Sequence, residues 1–173
     1  EGVPNKQGID RFYGYNCQRQ AHTYYPPFLY KNDQRVYLSN QVRDPHQTKL
    51  DEGADPYDEA SYKKFTQDEY ANDLIFDEMI QFVNDNKDQP FFLLWTTPIP
   101  HVSLQAPERW VKHYVEKFGN EEPYIGDKGY MPCRYPHATY AAMISYFDEQ
   151  IGKLVEKLKQ EGIYENTLIF FTS

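Results

Sequence analysis

Twice along this chain a stretch with helical periodicity gives way, after a short break, to a run of apolar residues too short for a helix. The first run is Phe91-Phe92-Leu93-Leu94-Trp95-Thr96 and the second is Thr167-Leu168-Ile169-Phe170-Phe171-Thr172. Before the first, Thr66-Gln67-Asp68-Glu69 matches a capping box, in which the Thr hydroxyl and the Glu carboxylate satisfy orphan backbone donors. Ala71, Leu74, Ile75, Met79, Phe82 and Val83 then recur at helical spacing, which predicts an amphipathic helix over 67–86. The break at Asn86 to Pro90 predicts a strand at 91–96 buried on both faces. A second helix is predicted over 137–161, with a stripe of Tyr140, Met143, Ile144, Phe147, Ile151, Leu154, Val155 and Leu158 and with Gly162 as its C-cap.

Helix, buried strand, long excursion, helix, buried strand is the order of an α/β fold with a mostly parallel sheet flanked by helices. Phe91–Thr96 and Leu168–Thr172 are expected as parallel neighbours in one sheet, with the second helix packed on it in a right-handed crossover. An uncovered sheet edge favours self-association. The first half of the chain, rich in Tyr, Asn, Asp and Pro, adds a small peripheral hairpin over 29–38 that turns at Asn32-Asp33. Residues 39–65 show turn formers, charges and little periodicity and read as irregular.

Ligands of such sheets bind beyond the carboxyl ends of the strands. Just past one such end lies Pro98-Ile99-Pro100-His101. Prolines restrict φ and remove donors, so the loop is stiff and holds an imidazole in a fixed direction. A histidine so placed can donate to an oxyanion or protonate a leaving group. On spacing alone, a structural histidine that caps a loop carbonyl fits equally well.

Other candidates carry less. Cys133-Arg134-Tyr135-Pro136-His137 sets a thiol beside a cation, but no positioned base accompanies it, and it reads as a loop into the second helix. Asp148-Glu149 reads as a solvated helix face. Asp51-Glu52, Asp55 and Asp58-Glu59 lack the spacing of a calcium loop. His22, in Gln18-Arg19-Gln20-Ala21-His22-Thr23-Tyr24-Tyr25, fits the wall of a sugar or aryl pocket or, more simply, local packing.

The charge balance excludes one class of partner. A net charge of -8 over 173 residues leaves no broad basic face for nucleic acid. No apolar run approaches the roughly 20 residues that span a bilayer. The first ten residues have neither the basic start nor the apolar core of a signal peptide. Cys17 and Cys133 form no CxxC pair and read as ordinary thiols.

Four blocks, in order, resemble the type I sulfatase family, in particular its bacterial arylsulfatase-like members. They are GIDRFYGYNCQRQAHTYYP (8–26), LYKND (29–33), TTPIPHVSLQAP (96–107) and YAAMISYFDEQIGKLVEKLKQEGIYENTLIFFTS (140–173). The resemblance covers nearly the whole chain. It implies an alkaline-phosphatase-like fold and hydrolysis of sulfuric esters, with a sulfated small molecule or sulfated glycan as substrate and a periplasmic or extracellular location. It implies, for the full-length protein, a formylglycine made from a C/S-x-P-x-R motif and a calcium ion held by Asp and Asn side chains. One functional position carries over: the family's Pro-His histidine, which contacts the sulfate and the leaving oxygen, matches His101 as catalytic and substrate-binding residue. Cys133 does not match the nucleophile motif, since its arginine is adjacent and its proline is three residues on. Residues 1–173 therefore read as a partial catalytic domain, a central segment without the N-terminal nucleophile region or the C-terminal metal motif. No metal ligand and no cofactor is expected in the chain itself, which is expected to be inactive alone. A phosphodiesterase or phosphonate hydrolase of the same superfamily, or a non-catalytic glycan-binding fragment, is the alternative.

Overall fold

The computed structural model describes residues 2–172. Three strands form one antiparallel sheet in the order β1 (Tyr13–Gly14), β2 (Phe28–Lys31), β3 (Gln34–Tyr37). The β2–β3 hairpin is the one the sequence predicts. Phe28 pairs with Tyr37 and Lys31 with Gln34, and Asn32 takes the positive φ of 57° that the tight turn requires. The Asn32 side chain also accepts from the Phe12 amide, tying the turn to the chain before β1.

Helix α1 (Ala71–Asn86) begins four residues later than the capping-box reading places it. Thr66 closes a 3-10 helix over Glu59–Phe65, and Gln67 and Glu69 hold the 39–41 segment. Glu69 accepts from the Ser39 amide, Gln67 from the Gln41 amide at 2.7 Å, and Asn40 bonds both the amide and carbonyl of Glu69. A distant loop, and not the helix start, satisfies these side chains. Helix α2 (Glu108–Phe118) lies inside the stretch that the sequence reading leaves as an excursion. It starts after Pro107 and ends at Gly119, whose φ of 76° a side chain disfavours.

Helix α3 (Pro136–Gln160) matches its predicted range, and Gly162, with a φ of 71°, follows it as expected. Its buried face only partly coincides with the predicted stripe, of which Met143 and Leu158 are buried and Phe147 packs against the core. Ala138, Ala142, Met143, Tyr146 and Gln150 point inward, whereas Tyr140 and Ile144 are about half exposed, at 47% and 45%. Small residues mark the inner face because α2 and Tyr70 approach closely there. The core joins Tyr24, Tyr25, Tyr70, Ile99, Met143 and Tyr146, covered by Trp110, Val111 and Tyr114 of α2. Across this seam Trp110 Nε1 donates to Glu149 at 2.8 Å, and the Tyr114 and Ser145 hydroxyls meet at 2.6 Å. Glu149, partly exposed, is therefore also the joint between α2 and α3, whereas Asp148 is exposed as read.

The expected parallel sheet is absent among the described residues. Neither 91–96 nor 168–172 makes a ladder, and the sheet that does form is antiparallel and lies elsewhere. The first segment is extended with period two: Phe91, Leu93 and Trp95 are half-buried against α1 and α3, while Phe92 is 77% and Leu94 63% exposed. Trp95 rests edge-on against Phe147 at 4.9 Å and beside Phe76, and Phe91 meets Phe82. In the second segment Leu168, Ile169, Phe170 and Phe171 are all exposed. The segments are thus apolar on both faces, as read, but only one face of the first is covered. Backbone pairing needs a neighbouring strand, and no described residue supplies one.

Candidate active site

The loop after residue 96 reaches His101 through a turn closed by the His101 amide on the Pro98 carbonyl at 2.7 Å. Beneath it lies Tyr24, fully buried, whose hydroxyl donates to the carbonyls of Pro98 and His101. Tyr24 is itself fixed at both backbone groups. Its amide donates to the buried Gln105 side chain at 2.9 Å, and its carbonyl accepts from the Ala71 amide at 2.8 Å. The buried Ser103 extends the anchoring: its amide donates to the His22 carbonyl and its hydroxyl accepts from the Met131 amide. The His101 backbone is therefore held by polar bonds inside the core, while its side chain is exposed, as the sequence reading expects.

The His101 ring does not stand alone. It stacks on the His22 ring with centroids 4.8 Å apart and planes within 1°. His22 Nδ1 lies 2.8 Å from His46 Nε2, and His46 Nδ1 lies 2.9 Å from the Gly129 carbonyl. Tyr130 packs against all three rings, at 5.5 Å from His22, 5.0 Å from His46 and 5.8 Å from His101. Four separate segments thus converge: the 3-10 turn Gln20–His22, the turn at 44–48, the 98–103 loop and Gly129-Tyr130. Asp44 shapes the second of these, accepting from the His46 amide and from Arg19 at 2.7 Å. Burial lowers the pKa of His22 below the ordinary histidine value, and the positive charge available to His101, His46 and Arg19 lowers it further. His101 Nδ1 lies 2.5 Å from its own neighbour's carbonyl, that of Val102. A carbonyl only accepts, so Nδ1 carries the hydrogen and Nε2 is the nitrogen left to face a ligand.

Beside the cluster is a cavity of about 520 Å³ with mostly apolar walls, among them Val102, Leu104, Tyr124, Tyr130 and Met131. Tyr130 belongs to both the cavity and the histidine cluster.

The remaining sequence candidates are structural. Cys133 is buried, donates to the Thr139 hydroxyl, and burial pushes its thiol up to about 11, so it is no nucleophile at neutral pH. Arg134 is also buried and donates to the Tyr57 and Glu121 carbonyls. His137 sits at the start of α3, where the Glu121 carboxylate accepts from the amides of His137 and Ala138. Cys17 is exposed and, like Cys133, free of any disulfide. In the acidic loop, Asp58 caps the 3-10 helix, Asp55 accepts from the Tyr57 amide, Asp51 pairs with Lys64 and Glu59 accepts from the Tyr135 hydroxyl.

Sequence reasoning missed His46, Tyr130 and Tyr24. His46 lies in the aperiodic 39–65 stretch and Tyr130 in the excursion, so neither carried a local signal. His22 was read as pocket wall or packing, and its proximity to His101 was not legible.

The chain has α/β content, and the comparison of sequences gives its class: it belongs to the sulfatase family, whose model matches residues 1–173. It is 27% identical over its whole length to the uncharacterized sulfatase YdeN of Escherichia coli K12, covering 23% of that protein. Over 49% of the chain it is 32% identical to an arylsulfatase of Klebsiella aerogenes, 25% of which is matched. It is 25% identical to mouse arylsulfatase J over 99% of the chain and 23% of that protein. The chain spans about a quarter of the length of these relatives.

The family resemblance implies calcium and a formylglycine, and the residues present fit neither. Calcium takes about six to eight oxygen ligands, whereas the cluster offers three imidazoles and a phenol. Among the described residues no group of three His, Cys, Asp or Glu side chains is disposed to hold a metal ion. Neither cysteine has the proline and arginine at the spacing of the modification motif.

Proposed function

We propose that the native protein carrying these residues hydrolyses sulfuric esters and that His101 is a catalytic and substrate-binding residue in it. Family membership supports the reaction class. The observation that carries the role is the combination of an exposed His101 ring with a backbone locked by the buried Tyr24. Protonated at Nε2, His101 donates a hydrogen bond to a sulfate oxygen and passes its proton to the departing ester oxygen, which otherwise leaves as an unstable anion. Acid catalysis of this kind contributes roughly 10²–10⁴-fold.

The substrate is a sulfated small molecule or a sulfated glycan, with its sulfate at His101 and its apolar part toward Tyr130 and the adjoining cavity. The nucleophile and any hard-cation site fall to residues outside these 173, and the chain by itself is inert. The protein acts in a periplasmic or extracellular setting, and no helix among the described residues is long and apolar enough to cross a membrane. Exposed Phe92, Leu94, Leu168 and Phe170 favour self-association of the isolated chain.

Assay of the native protein on an aryl sulfate, an aryl phosphodiester and an aryl phosphonate tests the class. Preference for the sulfate supports the proposal. Preference for either phosphorus ester assigns the chain to that branch of the superfamily, and binding of sulfated glycan without turnover of any of them supports a non-catalytic module.

A further inference from the structure

Two histidines outside the proposed catalytic role stand in a hydrogen-bonded line from the Gly129 carbonyl through His46 to His22, and the His22 ring in turn stacks on His101. The Gly129 carbonyl can only accept, so His46 Nδ1 carries the hydrogen of the 2.9 Å bond between them. With His46 uncharged, its Nε2 is then a bare lone pair and accepts from His22 Nδ1–H at 2.8 Å. With both rings neutral, this is the one proton arrangement that satisfies both bonds. The two bonds fix the tautomer and the plane of His22.

That plane matters because His101 lies on it. Its ring is parallel to that of His22 within 1° at 4.8 Å, and its Nδ1 is held at the Val102 carbonyl. An exposed imidazole on an otherwise unsupported side chain would sample several rotamers. Here one face rests on a ring that is itself locked, and Tyr130 closes the edge. The arrangement also disfavours a charge on His22, whose pKa is lowered first of all by burial. Arg19, the nearby cation, is neutralised by Asp44, which also shapes the turn that carries His46.

We propose that His22 and His46 are positioning residues for His101: His46 fixes the His22 ring, and His22 provides the face that aims His101 Nε2 at the anionic group. This rests on the sulfuric ester hydrolase reading for its consequence in catalysis, but its geometric content stands without it.

The test has two arms. Long-range proton–nitrogen correlation spectra of the imidazoles in the 173-residue chain should show both His46 and His22 protonated at Nδ1 and bare at Nε2. His46→Leu should shift the ring signals of His22 and of His101, while His46→Gln, which can still accept and donate, should restore most of the shift. The Trp95 and Trp110 indole signals report that the fold is kept. A His22 protonated at Nε2, or a His101 ring that does not respond to His46→Leu, overturns the proposal whether or not any sulfate ester is turned over. In the native protein on an aryl sulfate, His22→Ala should lower kcat by about tenfold or more with KM little changed, the size seen when an outer partner of a reactive group is removed. His22→Phe, which keeps a flat face, should recover part of the loss. Equal kcat in parent and His22→Ala overturns the positioning role. Absence of turnover in the parent itself overturns the functional reading and leaves the spectroscopic arm to decide the geometry.

Discussion

The Tyr24 hydroxyl lies 2.9 Å from the His101 carbonyl and 3.0 Å from that of Pro98, so one buried phenol holds both ends of the turn that presents the imidazole. Tyr24→Phe removes that donor and little volume. The Pro98 carbonyl keeps the His101 amide, but the His101 carbonyl loses this donor, which should cost about 1 kcal/mol in urea unfolding. The stacking of His101 on His22 should loosen with it, seen as altered His101 ring signals. Unchanged stability together with unchanged signals would mean that the hydroxyl does not hold the turn.

The α2–α3 joint predicts a pH dependence. Burial by itself would raise the Glu149 carboxyl, but bonds from Arg109, Lys153 and Trp110 outweigh it and hold the pKa at about 2. A carboxylate depressed in the folded state adds stability that is full above its unfolded pKa and is lost as pH falls toward the folded value. The joint should therefore weaken from about pH 4.5 down to about pH 2. Glu149→Gln should lower the unfolding temperature at about pH 6, and the gap to the parent should close as pH falls through that window. A gap that stays constant with pH would show that the charge on Glu149 is not what joins the helices.

Which face of α3 is buried can be decided by a pair of variants. Met143 is fully buried in the main core, so Met143→Ala should cost about 2–5 kcal/mol. Tyr140, half exposed, should tolerate Ala within about 0.5 kcal/mol. The reverse order in urea unfolding would contradict the burial of Met143 and the exposure of Tyr140.

The two thiols should differ sharply. Cys17 is exposed, and Cys133 is buried with its pKa pushed up to about 11. An alkylating agent at neutral pH should label Cys17 in the native chain and Cys133 only after denaturation, read by peptide mass. Equal labelling of both would place Cys133 at the surface.

How much of this was legible depended on how far apart the interacting residues lie. The 28–37 hairpin and α3 were readable because turn residues and helical periodicity act locally. The start of α1 was not, because Gln67 and Glu69 satisfy their side chains on a loop 26 and 30 residues away, so these residues resemble a capping box in sequence without forming one. The apolar character of 91–96 and 168–172 was correct, but a parallel ladder depends on neighbours that no local pattern reports. At the candidate site, the exposed position of His101 was legible from its place after an apolar run and its prolines. Its partners His22, His46 and Tyr130 come from segments 79, 55 and 29 residues away along the chain (101 − 22, 101 − 46, 130 − 101), and only folding brings them together.

The central claim is that His101 is an exposed reactive group on a rigid anchor and not a structural residue. The most direct measurement is kcat of the native protein on an aryl sulfate for the parent and for His101→Ala, with urea unfolding of both. The account predicts a fall in kcat of roughly 10²–10⁴-fold, with stability unchanged within about 0.5 kcal/mol, as befits an exposed side chain. Parent-like turnover, or a variant that loses activity only because it no longer folds, would contradict it.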